Sequence, residues 1–144
     1  MLTQQEVLKQ LAERGFRLTQ SRRAIVAILY EAEEALTPAQ VSALARRRWP
    51  RVGLVTVYRT LELLAELGLA RRLHTDDGCH SYTRASAGHC HDLICQSCGR
   101  VVEFEGCDLS NLLEQVERDT GFAIASHMLE LAGLCPACQE REGK

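Results

Sequence analysis

Cys95-Gln96-Ser97-Cys98 and Cys135-Pro136-Ala137-Cys138 form two C-x-x-C pairs separated by 36 intervening residues. Tetrahedral zinc wants four ligands, and each pair supplies two thiolates, so this spacing predicts a structural zinc site. Immediately upstream stands His89-Cys90-His91-Asp92. Successive residues of a strand face opposite ways, so His89 and His91 share one face and Cys90 and Asp92 the other. If this strand pairs symmetrically about the knuckle with Val101 to Glu105, Asp92 lies opposite Glu103 and Cys90 opposite Glu105. A slip of one residue would reverse the facing of both glutamates. The imidazole face needs further ligands, and His127 is the only other histidine in the C-terminal part. One strand is thus expected to serve two metal sites. Cys79, His80 and His74 are a further reservoir of soft ligands; reaching the metal held by Cys90, Asp92 or Glu103, one of them would tie the two halves of the chain together.

Seven cysteines in 144 residues, an odd number, with no apolar signal-peptide block at the N-terminus, favour thiolates in a reducing cytoplasm over disulfides. No window approaches the roughly 20 apolar residues of a membrane-spanning helix. A hydrophobic fraction of 46% suits one domain or two small ones. The net charge of -2 hides an asymmetry: residues 1–84 carry 13 Lys and Arg against 9 Asp and Glu, residues 85–144 only 4 against 10. A basic half joined to an acidic half pairs an anion-binding surface with one that hosts cations.

The positioning elements follow from periodicity. Val7, Leu8 and Leu11 mark a first helix closed by Gly15; Thr19 caps a second whose stripe is Ile25, Val26, Ile28 and Leu29. Thr37-Pro38 opens a third helix, Trp49 to Gly53 breaks the pattern, and a fourth runs from Leu54 to Leu67. In the fourth, Val57, Leu61, Leu64 and Leu67 face inward, leaving Thr56, Arg59 and Thr60 outward. Ala70 to His74 and Cys79 to Arg84 flank an Asp77-Gly78 turn as a hairpin. This is the layout of a winged helix-turn-helix, whose last helix enters the DNA major groove. Arg17, Arg22, Arg23, Arg51 and Arg59 can meet phosphates, and Tyr58 can touch sugar or a thymine methyl. Arg46 to Arg48 can do the same or complement a helix C-terminus. Small residues at 85–88 predict a hinge between a DNA-binding domain at 1–84 and a metal-binding domain at 89–144. Beyond the knuckle strands, Asp108 to Asp119 predicts a helix with Leu109, Leu112, Leu113 and Val116 inward, and 122–124 and 127–131 predict extended chain.

With Gly15 to Thr19 and Arg22, Thr56-Val57-Tyr58-Arg59-Thr60-Leu61, His89 to Cys98, Gly99 to Phe104, His127 and Gly133 to Cys138, the chain resembles the ferric uptake regulator family of metal-responsive repressors over nearly its whole length. The resemblance implies an α+β fold, an N-terminal winged helix-turn-helix domain plus a C-terminal α/β dimerisation domain. It implies a homodimer that binds a double-stranded inverted-repeat operator when metallated, with Thr19, Thr56, Tyr58 and Arg59 in matched DNA-binding segments. Cys95, Cys98, Cys135 and Cys138 match the family's structural zinc ligands, and His89, His91 and His127 match a second site. The fourth ligand there is usually a helix carboxylate; Ser110 holds the matched position, so Asp108 or Glu114 would have to substitute. In the sensory site, Cys90 and Asp92 stand where iron-sensing members have histidines, with Glu103 retained. Thiolate selects the softer metal, so the branch implied is the zinc uptake regulators, with Cys79 or Cys90 as sensor. Iron, manganese, peroxide or haem response within the family is the alternative. A zinc hydrolase lacks its H-E-x-x-H or H-x-E signature, and a thiol redox switch would require the C-x-x-C pairs to release zinc on oxidation.

Overall fold

Three threonines start the first three helices by the same chemistry: each side chain accepts a hydrogen bond from the third helical amide. Helix α1 spans Gln4–Glu13, α2 Gln20–Glu31 and α3 Pro38–Arg48, while α4, Leu54–Glu66, begins at Gly53 without a side-chain cap. The computed structural model describes residues 2–74, 79–85 and 90–143. The expected turn at 75–78, most of the expected hinge, and His89 lie outside these.

The wing follows as β1, Ala70–His74, paired antiparallel with β2, His80–Arg84. A two-residue bridge between Leu36 and Tyr82 adds the α2–α3 connection to its edge. The core sits here: Val7, Leu11, Ile25, Leu29, Val57 and Leu61 are all at most 1% exposed. Buried Tyr30 donates its hydroxyl hydrogen to the Leu69 carbonyl, tying α2 to the start of the wing. The face of α4 differs from expectation at one position. Thr60 is 1% exposed, packed beside Leu61 and Leu64, because the inward stripe of this helix is wider than a strict heptad seam.

The C-terminal part is built on β3, His91–Cys95, flanked by antiparallel β4, Val101–Phe104, and parallel β5, Glu130–Gly133. Asp92 pairs with Glu103, the register expected from symmetry about the knuckle. Helix α5, Ser110–Thr120, has an amphipathic sequence, yet none of its residues is buried and Leu112 is 54% exposed. Residues 122–124 form no strand; the extended chain begins later, at Glu130. Helix α6, Pro136–Glu142, starts inside the second C-x-x-C, with Cys135 as its N-cap. Among the described residues, no helix is long and apolar enough to cross a membrane.

The two parts touch through backbone as well as side chains. Ala35 N–H donates to the Gly99 carbonyl at 3.1 Å, and Glu34 bridges Arg100. Gly99 turns the knuckle at φ +76°, a conformation that a side chain would strain.

Candidate metal centres and nucleic-acid surface

The knuckle turn puts Cys95 at the end of β3 and Cys98 three residues on, held by a Gly99 N–H bond to the Cys95 carbonyl at 2.9 Å. Helix α6 brings Cys135 and Cys138 to the same spot, and all four sulfurs lie within 4.8 Å of one another. Zn–S bonds of about 2.3 Å at tetrahedral angles set sulfurs about 3.8 Å apart. Cys98 Sγ and Cys135 Sγ are 3.8 Å apart, so the cluster fits zinc. Amide donors, from Cys135 first and then Cys98, pull the Cys95 thiol down to about 6. Arg141 Nη2 donates to Cys138 Sγ at 2.6 Å and lowers that thiol too. Both effects favour the thiolate, the form that binds metal.

A second cluster joins His91 of β3, His127 of the segment before β5, and Cys107 of the loop after β4, with ligand atoms again within 4.8 Å of one another. Cys107 Sγ lies 3.6 Å from His127 Nε2, against about 3.6 Å for a thiolate and an imidazole on one tetrahedral zinc. The His91 and His127 rings stack at 5.3 Å, and His91, 4% exposed, also packs on Phe104. Sequence reasoning missed Cys107. Its only signal was being a cysteine outside the paired motifs, nine residues beyond Cys98. Asp108 instead accepts hydrogen bonds from the Ser110 amide, at 3.1 Å, and from the Ser110 hydroxyl, just before α5. Those bonds lower its pKa. Neither Asp108 nor Glu114 is in a ligand cluster among the described residues.

On the other face of β3, pairing aligns Glu103, Asp92 and Glu130 across the three strands. Arg71, from β1, reaches in: its Nη2 lies 2.8 Å from Asp92 Oδ1 and 2.8 Å from Glu103 Oε1. The Glu103 contact is an aligned hydrogen bond; the Asp92 contact is close but off-axis, and among the described residues Asp92 Oδ1 and Arg71 Nε have no hydrogen-bond partner. Burial pushes the Asp92 carboxyl up to about 6, against the pull of Arg71 and with the help of Glu103 and Glu130. Cys90 Sγ is 3.9 Å from Glu105 Oε1, as expected for neighbours in this register. Cys90, Asp92 and His74 line one cleft of about 710 Å³ between the wing and the C-terminal sheet. Cys79 and His80 do not line it. His80 pairs with His74 at the hairpin end, rings 5.1 Å apart.

On the winged part, Arg17, Arg23, Arg51, Thr56 and Arg59 are exposed. Tyr58, 46% exposed, stands beside the exposed Leu54 and Val55, so the outward face of α4 carries a mixed apolar, aromatic and basic surface. Two expected contacts are also engaged internally. Thr19 caps α2, and Arg22 donates to the Arg17 carbonyl while lying over the Phe16 ring. Arg46 Nε donates to the Val52 carbonyl at 2.9 Å, holding the loop before α4, and Arg48 pairs with Glu31, joining the ends of α3 and α2.

The sequence profile of the ferric uptake regulator family matches residues 13–132. The ferric uptake regulation protein of Bacillus subtilis (strain 168) is 39% identical over 140 residues, covering 94% of each chain. The zinc uptake regulation protein of Mycobacterium tuberculosis (strain CDC 1551 / Oshkosh) is 36% identical over 125 residues, covering 87% of this chain and 96% of its own. A solved zinc uptake regulator complexed with zinc and DNA matches with TM-score 0.71 at 29% identity, over 100% of both chains. The chain therefore belongs to the ferric uptake regulator family: it is a metal-responsive transcriptional regulator with a winged-helix domain and a C-terminal dimerisation domain, and not an enzyme.

Proposed function

We propose that the protein is a zinc-responsive repressor that binds an inverted-repeat operator as a metallated homodimer in the cytoplasm. The observation that carries the metal choice is sulfur at both candidate sites outside the four-thiolate cluster: Cys107 beside His91 and His127, and Cys90 beside the carboxylate row. Thiolate and imidazole select zinc over iron(II) and manganese(II). In this reading Cys95, Cys98, Cys135 and Cys138 hold a structural zinc. His91, Cys107 and His127, with His89, hold a second ion. Cys90, Asp92 and Glu103 serve the regulatory one, with His74 as the ligand available from the wing. Arg23, Arg51, Arg59, Thr56 and Tyr58 are the exposed residues that meet DNA, with Arg17 and Thr19 at the start of α2.

A second reading, iron or manganese response, is favoured by one observation: Glu103, Asp92 and Glu130 in a row are hard oxygen donors. Titrating DNA binding anaerobically against buffered Zn(II), Fe(II) and Mn(II) separates the two. The zinc reading expects affinity to rise at sub-nanomolar free Zn(II), within the roughly picomolar to tens-of-nanomolar range to which about 10–16 kcal/mol of thiolate-site binding corresponds. A response to Fe(II) or Mn(II) with none to Zn(II) overturns it.

A further inference from the structure

Three carboxylates directly side by side on adjacent strands repel one another, an arrangement that is destabilising without a cation. The Glu103–Asp92–Glu130 row has one, and it comes from the other half of the molecule. We propose that Arg71 is a built-in cation that occupies the Asp92–Glu103 pair in the metal-free protein, docking the wing on the C-terminal sheet and competing with a divalent ion for the same oxygens.

Geometry and charge carry this. Arg71 Nη2 sits 2.8 Å from one oxygen of each carboxylate, so an ion bound to those two oxygens needs the guanidinium to leave. The occupant is also an imperfect one. Asp92, whose side chain is 5% exposed, keeps Oδ1 without a hydrogen-bond partner, and Arg71 Nε is likewise buried without one. An aligned guanidinium–carboxylate pair would use two parallel bonds, and this one uses a single Nη2 shared between two acids. A buried pair with unsatisfied atoms gains little over its desolvation cost. The guanidinium is therefore a displaceable stand-in: tight enough to hold the parts together, loose enough to yield to an ion with more charge on fewer atoms. Its removal leaves the acidic row without its guanidinium, with Glu62 and Glu66 of α4 lining the same cleft and Arg72, His74, His91 and His127 the bases that remain there. Arg71 thus sets the metal concentration at which the site fills. The inference rests on the reading of Asp92 and Glu103 as regulatory ligands.

The test uses full-length protein loaded with one zinc equivalent at the four thiolates. Binding of Mn(II) is followed by the electron paramagnetic resonance signal of the free ion, and binding of Zn(II) by chelator competition. Arg71→Gln is expected to tighten the regulatory ion by about tenfold or more, the scale of removing a unit charge at about 4 Å from a partly solvated site. Arg71→Lys, which keeps the charge, is expected to stay near wild type. Retention of the first zinc and a single cooperative thermal melt establish that each variant is folded. Unchanged or weaker metal binding in Arg71→Gln, with binding still lost in Asp92→Asn, overturns the competition. Metal binding indifferent to both Asp92→Asn and Glu103→Gln overturns the regulatory reading of those residues itself.

Discussion

Cys107 carries as much of the chemistry as residues that announce themselves by spacing. The four-thiolate cluster was legible because C-x-x-C has a geometric meaning that survives without a fold: two sulfurs on one turn. Cys107 has no local partner; its neighbours His91 and His127 are 16 and 20 residues away in sequence, and only folding makes them a set. The two clusters should fail differently. Replacing Cys95 by Ser is expected to release the structural zinc and unfold the C-terminal part, since such an ion contributes about 10 kcal/mol or more to folding. Zinc stoichiometry and amide hydrogen exchange over β3 to β5 would register it. Replacing Cys107 by Ser should leave that zinc and the fold in place while weakening the second ion by at least the roughly 10- to 100-fold typical of lesser, outer-shell changes. With zinc at the four thiolates and Cys90 replaced by Ser, Co(II) at the second site reports the loss directly, because the thiolate-to-cobalt band disappears. A band that persists would exclude Cys107 as ligand.

Helices were legible wherever their apolar stripe meets the chain's own core, and misread where it does not. The starts of α2 and α3 were anticipated by their Thr caps, and the end of α1 and both ends of α4 to within about a residue by Gly and Pro punctuation. Helix α5 has an equally good stripe, but Leu112 and Val116 remain 54% and 38% exposed. Periodicity says that a face will be buried, never by what. The capping threonines supply a plain test of the other kind of helix: Thr37→Ala removes the hydroxyl that accepts the Gln40 amide, leaving the Thr37 N–H bond to Gln40 Oε1, at a cost of about 1 kcal/mol in urea unfolding. A change under a few tenths would mean that Pro38 alone fixes the helix start. On α4 the outward face has a different job. Arg59→Ala is expected to weaken DNA binding on all sequences alike and to lower the salt slope by about 1, as for one lost phosphate contact. If only the preferred operator is affected, Arg59 reads a base edge instead.

The C-terminal sheet separates two surfaces of opposite character, and neither could be assigned its partner from sequence. Its acidic row faces the wing through Arg71, a contact of β1 with β3 and β4 between residues 21 or more apart in sequence that only the folded chain makes. Its other face presents Leu93, Val102 and Leu131, which the register sets side by side and which are 41%, 45% and 43% exposed. Phe122 and Met128 add 75% and 93% exposure to the same half of the chain. Apolar residues scattered singly on a surface need no explanation, but a row aligned across three strands is a contiguous apolar face of the kind that interfaces bury. In the homodimer proposed above, a second copy would complete it under two-fold symmetry, where the same patch serves both subunits. Leu93, at the centre of the row, is the residue to change. Leu93→Asp puts a charge into that interface twice, once from each subunit, so sedimentation should show a monomer at concentrations where the wild type is dimeric. The four thiolates, held by the knuckle and α6, should keep their zinc, which distinguishes a lost interface from a lost fold. DNA affinity should fall steeply too, because each winged domain would then have to find its half-site alone. A dimeric Leu93→Asp with unchanged DNA binding would move the interface off this sheet and leave the exposed row unexplained.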